Sequence, residues 1–123
     1  GFDDELAHLI EAGSDIFLMP SKFEPCGLNQ FYSLMYGTVP IVHKTGGLAD
    51  TVKPYNSKNG EGNGFTFDKY TASAMIAEIK KALKIYNSDQ ENWQSIMKNG
   101  MKSNFTWLDS AKKYVDLYKK LTD

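Results

Sequence analysis

Arginine is absent from this chain of 123 residues, and all 14 of its basic residues are lysines. Without a guanidinium fork there is no side chain for bidentate recognition of phosphate or of a guanine edge. With a net charge of −1 as well, nucleic acid is not an expected partner. Cysteine is nearly absent: Cys26 stands alone, so no internal disulfide can form, and a lone thiol fits a reducing, cytoplasmic setting. No apolar run approaches the ~20 residues of a membrane span, and the N-terminal GFDDELAH has neither the basic start nor the apolar middle of a signal peptide. A soluble, cytoplasmic protein with no membrane partner is expected. Metal-ligand spacing is missing too, because His8, Cys26 and His43 stand far apart, and no metal is assigned. The first residue is Gly1 rather than Met, which points to processing, a tag remnant or a piece of a longer chain.

What is present is enough apolar material, 41% of residues, for one core and one domain, 1–123, or part of a domain. Asp3 and Asp4 suit the start of a helix on which Leu6, Leu9, Ile10 and Gly13 recur at helical spacing. Residues 15–19 then form a short apolar run of the kind buried on both faces of a parallel sheet. Leu28, Phe31, Tyr32 and Met35 share one face of a second helix that Gly37 ends, and Val39 to Val42 is again short, apolar and β-branched. Two such strands joined by one helix make a βαβ unit, and an α/β fold with a parallel sheet is the expected class. Thr45, Gly46 and Gly47 turn into a short helical stretch from Leu48 to Val52. Lys53 to Gly64 reads as an exposed, mobile loop, and Gly64 to Phe67 as a third strand. Ala72, Met75, Ile76, Ile79, Leu83 and Tyr86 mark the inner face of a long helix. Ser88 and Glu91 have capping-box spacing before a helix with Trp93, Ile96 and Met97 inward, closed near Gly100. Thr106 and Asp109 resemble a second such start. Trp107, Ala111, Tyr114, Val115, Tyr118 and Leu121 would line the inner face of the last helix, with Lys112, Lys113, Lys119 and Lys120 on its solvated side.

The chemistry concentrates where the first strand stops, at EPCGLN. Pro25 biases Glu24 towards extended backbone, and Gly27 lets the main chain approach a ligand with no Cβ in the way. The amides of Gly27, Leu28 and Asn29 would be free at a helix start, where the helix dipole also favours an anion such as phosphate. Spacing alone fits a surface acid and an ordinary helix-opening glycine equally well. Thr45-Gly46-Gly47 follows the next strand, so both turns fall at the carboxyl edge of the sheet, the edge at which open α/β sheets bind ligands. The glycine spacing is not that of a Walker loop or a dinucleotide fingerprint. His43 reads as a strand-end polar residue, Cys26 as a thiol without a histidine partner, and Tyr32 and Tyr36 as packing residues with polar tips.

In their order and spacing, EPCGL and TGGLADTV, within DIFLMPSKFEPCGLNQFYSLMYGTVPIVHKTGGLADTV, resemble the C-terminal domain of bacterial glycogen synthases and plant starch synthases. The likeness is close from Leu6 to Val52, resumes at GNGFTFDKY and weakens through the final helices. The resemblance implies two facing Rossmann-like domains, the GT-B arrangement. It also implies retaining transfer of glucose from a nucleotide sugar, usually ADP-glucose, to the non-reducing end of an α-1,4-glucan, without a metal or other cofactor. Carried over by position, Glu24 becomes the essential acid beside the donor glucose. The backbone of Cys26 and Gly27 touches the sugar, and Leu28 and Asn29 meet the diphosphate. Asn29 stands where threonine is usual. Tyr32 occupies the position at which related nucleotide-sugar transferases carry a ribose-binding glutamate, and Thr45, Gly46 and Gly47 shape the donor pocket. The family's diphosphate-neutralising arginine and lysine, and the N-terminal domain with its acceptor side, have no counterpart in the chain. The expectation is therefore a donor-domain fragment, inert by itself. The alternatives are a related transferase with another donor, of the sucrose or trehalose-phosphate type, which Cys26 and Tyr32 argue against, and a nucleotide- or glucan-binding module that has no need of Glu24.

Overall fold

The computed structural model describes residues 1 and 3–122. Three parallel strands, β1 (Ile16–Met19), β2 (Val39–His43) and β3 (Phe65–Phe67), lie in the order β1-β2-β3. Ile16 pairs with Val39 and Ile41 with Phe65. Every residue of β2 is buried, as expected of a central parallel strand. Pro40 sits in it without cost to the ladder. Val39 donates its N–H to Asp15 on the β1 side, so the missing N–H of Pro40 falls on the β3 side, where pairing begins only at Ile41.

Around the sheet stand α1 (Asp4–Ala12), α2 (Asn29–Tyr36), α3 (Gly46–Thr51), α4 (Ala72–Ser88), α5 (Gln90–Met101) and α6 (Trp107–Thr122). Alternation along β2 divides the core in two. Val39 and Ile41 join Phe65, Ala82, Trp93 and Ile96 under α4 and α5, while Val42 joins Leu48 and Val52 on the side of α3. The βαβ unit and the third strand lie where the sequence places them.

Several helix faces differ from expectation. Leu6, Leu9 and Ile10 on α1 face solvent, and the residue that α1 buries is Glu11. The sheet ends at β1, so nothing in the described structure covers those side chains. On α2 the buried positions are Gln30, Ser33 and Leu34, with Leu28 and Met35 exposed. On α4, Ile79, Ala82, Ile85 and Tyr86 pack inward and Ile76 and Leu83 turn out. The start of α5 is capped by Asp89, whose Oδ1 accepts from the Asn92 amide at 3.1 Å, rather than by Ser88, which still belongs to α4. The expected inner face of α6 is exposed from Trp107 to Leu121, as are its four lysines.

Residues 53–64 form a fastened loop and not a free one. Asn63, buried, accepts from the Lys53 amide at 2.7 Å and donates to the Thr51 carbonyl, and Asn99 on α5 donates to the carbonyls of Gly60 and Gly62 at 2.8 Å each. The loop also pairs with itself, Tyr55 N–H donating to the Gly64 carbonyl and Asn56 N–H to the Glu61 carbonyl at 2.8 Å each. The amide side chains add to that pairing by satisfying further backbone groups. No helix among the described residues is long and apolar enough to cross a membrane.

Candidate functional site

The chain leaves β1 at Pro20, crosses the top of the sheet through Glu24, Pro25 and Cys26, and enters α2 after Gly27, whose φ of +77° only glycine adopts readily. Leu28 occupies the N-cap of α2 without a side-chain cap. The amides of Gly27, Leu28 and Asn29 find no acceptor among the described residues. Cys26, Leu28 and Asn29 are exposed and Glu24 and Gly27 half-buried, so the residues that carry these main-chain donors reach solvent with the helix dipole behind them, on the same turn as Glu24. That carboxylate has no hydrogen bond or ion pair among the described residues.

The second turn is pressed directly against the first. The Gly47 amide donates to the carbonyls of Glu24 at 3.1 Å and Pro25 at 3.2 Å. A Cβ on Gly47 would stand 2.6 Å from the Cys26 carbonyl oxygen, and one on Gly46 would run into the Glu24 carbonyl. Thr45 is the N-cap of α3 without a side-chain cap. Glu24, Cys26, Gly27, Leu28, Asn29, Thr45, Gly46 and Gly47 thus gather at one edge of the sheet. Tyr32 lies a turn further along α2, its ring edge-on to His8 at 4.5 Å, while the Tyr36 hydroxyl meets His8 Nδ1 at 2.9 Å. His43 is buried, donates from Nδ1 to the Ser21 carbonyl at 2.9 Å and stacks near Phe67 and Tyr70. That is a structural post under the loop, as a strand-end residue should be.

Two buried polar residues behind the turns were not singled out from sequence. Gln30, fully buried, donates through Nε2 to the carbonyls of Cys26 at 2.9 Å and Gly27 at 3.1 Å. The signal available was its spacing, four and three residues after the carbonyls it holds. Replacing Gln30 with Leu removes the donor to both carbonyls but also removes its own Oε1, which is buried without a partner among the described residues. The net cost in the full-length protein should therefore be about 1 kcal/mol, read from urea denaturation. A loss below ~0.5 kcal/mol, the range of neutral surface changes, would show that the turn does not depend on it. Glu11, the second, accepts through Oε1 from Asn29 Nδ2 at 2.8 Å, and its other oxygen is buried without a partner. Burial pushes the Glu11 carboxyl above its usual range, against the lowering effect of the Asn29 amide, His8 and Ser33.

An apolar groove of about 620 Å³ opens beside Cys26 and Leu28, walled by Phe31, Met101, Phe105 and Trp107. A larger cavity, about 700 Å³, lies away from the turns between α4 and the 53–64 loop. Two of its lysines are neutralised locally, Lys44 by Asp68 at 3.3 Å and Lys81 by Glu78. Among the described residues no three His, Cys, Asp or Glu side chains come together as a metal site requires.

The family described as Glycosyl transferases group 1 matches residues 1–100. The chain belongs to the group 1 glycosyltransferases. Within that family it is similar to the glycogen synthase of Desulfitobacterium hafniense, 50% identical over 121 residues, covering 98% of this chain and 26% of that protein. It is 54% identical over 119 residues to the glycogen synthase of Thermotoga maritima, covering 97% and 24%. Among solved structures it superposes on the catalytic domain of starch synthase IV from Arabidopsis thaliana, bound to ADP and acarbose, with a TM-score of 0.88 and 37% identity over 98% of this chain and 25% of that one. Sucrose-phosphate synthase from Thermosynechococcus elongatus follows at a TM-score of 0.71 and 26% identity, covering 98% and 29%. This group 1 glycosyltransferase chain therefore has the Rossmann-like parallel sheet of a GT-B enzyme and spans about a quarter of the length of the curated relatives it matches.

Proposed function

We propose that this chain is the carboxyl-terminal part of the nucleotide-sugar half of a cytoplasmic glycogen or starch synthase. The whole protein moves glucose from ADP-glucose to the non-reducing end of an α-1,4-glucan with retention, and needs no cofactor. One observation carries the reading. Gly46 and Gly47 press on the Glu24–Cys26 backbone, so the turn that carries Glu24 is held where α2 begins with three amides that find no acceptor among the described residues, and the Glu24 carboxylate has no partner among them either. Departure of ADP builds negative charge on the diphosphate and positive charge on the glucosyl carbon. Amides held near the one and Glu24 near the other stabilise both as they develop, without reorganising. Cys26 and Gly27 offer backbone to the sugar, Leu28 and Asn29 to the diphosphate, and Tyr32 stands further along the same helix.

A glucan synthase fits better than a sucrose-phosphate type of transferase because identity to the glycogen synthases, at half or more, is about twice that to the sucrose enzyme. The rest of the polypeptide would supply the cationic partners of the diphosphate and the glucan site. It would also cover the apolar side chains of α1, the open edge of β1 and the face of α6, all of them exposed here. The test is incorporation of label from ADP-[14C]glucose into glycogen. The full-length protein should transfer and the isolated 123 residues should not. Transfer by the isolated chain would overturn the division of labour, and none by the full-length protein with any nucleotide-glucose would overturn the function.

A further inference from the structure

We infer that Glu11 is a positioning residue for the donor diphosphate: its buried carboxylate holds the Asn29 side chain and thereby fixes the first turn of α2, whose main-chain amides would meet the phosphates. The inference rests on the donor-site reading above and deepens it.

Glu11 is anomalous for its helix. The apolar residues Leu6, Leu9 and Ile10 face solvent, while this acid is only 5% exposed. Burying a carboxylate is costly, and an apolar side chain of similar length would fill the same space without that penalty. Attachment of α1 to the rest does not require the carboxylate either. Thr38 Oγ1 donates to the Glu11 main-chain carbonyl and Tyr36 meets His8. The hydrogen bond that the carboxylate makes is the one it accepts from Asn29 Nδ2 at 2.8 Å; its second oxygen is buried without a hydrogen-bond partner among the described residues, and His8 and Ser33 act on the group more weakly. Asn29 is the first residue of α2, and its neighbour at the N-cap, Leu28, has no capping side chain. A helix end without a cap must be oriented from outside itself. Here that is done from behind by two residues, Gln30 gripping the preceding carbonyls and Glu11 gripping Asn29. A cavity of about 260 Å³ lined by His8, Glu11, Asn29 and Tyr32 leaves the Asn29 side chain room to swing once the tie is cut. One of its two amide hydrogens is spent on Glu11, so the remaining hydrogen and the main-chain N–H are what it can offer a phosphate.

The experiment uses the full-length protein and reads ADP affinity by calorimetry together with donor KM and kcat. Glu11→Leu should raise the ADP Kd and donor KM about tenfold, the scale of one lost charge-assisted hydrogen bond, with kcat changed far less. Glu11→Gln keeps an oxygen for the Asn29 amide and should restore most of that loss. Asn29→Ala should weaken binding to a similar degree, and Glu11→Leu with Asn29→Ala should be no worse than either alone. Unchanged ADP affinity in Glu11→Leu, or losses that multiply in the double variant, would overturn the inference while leaving the donor site standing. If the wild-type protein binds no ADP, the donor-site reading falls and this one with it. Should Glu11→Leu fail to fold, Glu11→Asp, one methylene short of Asn29, replaces it, and wild-type ADP affinity in that variant overturns the inference equally.

Discussion

Glu24→Gln in the full-length protein should lower kcat by about 10²–10³ while the donor KM stays within a few-fold of wild type. The substitution preserves shape and removes only charge. The diphosphate would still meet the amides of Gly27, Leu28 and Asn29 and the helix dipole, none of which involves the Glu24 side chain. On the proposed function, what would be lost is a negative charge near a glucosyl carbon that becomes positive only as ADP departs, an interaction far stronger in the transition state than in the ground state. The carboxylate is free for that task because no lysine or amide among the described residues engages it. A structural acid half-buried at a turn would be expected to have such a partner. Steady-state kinetics with ADP-glucose and glycogen separate the two terms. Turnover equal to wild type would mean that Glu24 is a surface acid and that the chain belongs to a module that binds without reacting. A rise in KM with kcat unchanged would make it a ground-state contact only.

The parts of this fold legible in the sequence are those whose signal is local and whose surroundings are present. Residues 15–19 and Val39 to Val42 read as parallel strands buried on both faces because apolar runs so short have few other uses. Both are parallel strands, but only β2 is buried throughout, since β1 lies at the edge of the sheet with Leu18 exposed and the rest half-buried. The meeting of the two glycine-bearing turns followed from topology, since both come after parallel strands. Helix faces were less legible for a physical reason. Apolar periodicity on α1 and α6 announces that a face will be buried and does not name the partner, and in this chain Leu9, Trp107 and Tyr114 meet solvent. On α4 the expected inner face is right at Ile79 and Tyr86, which pack against the core, and wrong at Ile76 and Leu83, which turn out in favour of Ala82 and Ile85. The face that is buried is the one meeting Phe65 of β3 and Trp93 and Ile96 of α5, partners that periodicity does not name. Behind the candidate site, Gln30 and Glu11 were hidden because a polar residue at a buried position looks like a surface one until its partner is seen. The 53–64 loop misled in the same way. Its glycines and asparagines imply mobility, yet Asn63 and Asn99, together with backbone pairing of Tyr55 with Gly64 and of Asn56 with Glu61, hold it.

Gly46→Ala should be strongly damaging, lowering the stability of the full-length protein by about 3 kcal/mol and weakening ADP binding beyond tenfold. Two independent effects combine. The φ of +43° at Gly46 is disfavoured for any residue with a Cβ, and the added methyl would overlap the Glu24 carbonyl oxygen, a backbone atom with little freedom to yield. Gly60 separates the two, because its φ is similar at +71° but nothing lies within 4 Å of a Cβ placed there. Gly60→Ala should therefore carry the conformational penalty alone, about 1 kcal/mol, and leave ADP affinity as it was. The difference between the variants measures the contact between the turns. Relief of the overlap requires the Thr45–Gly47 turn to lift away from Glu24 and Pro25, which breaks the two hydrogen bonds from the Gly47 amide. The amides at the start of α2 would then lose the platform that aims them. Thermal unfolding and calorimetric ADP titration of the pair give the answer. If Gly46→Ala resembles Gly60→Ala in both, the turns do not bear on each other as described, and the rigidity attributed to the donor edge must come from Gln30 and Glu11 alone.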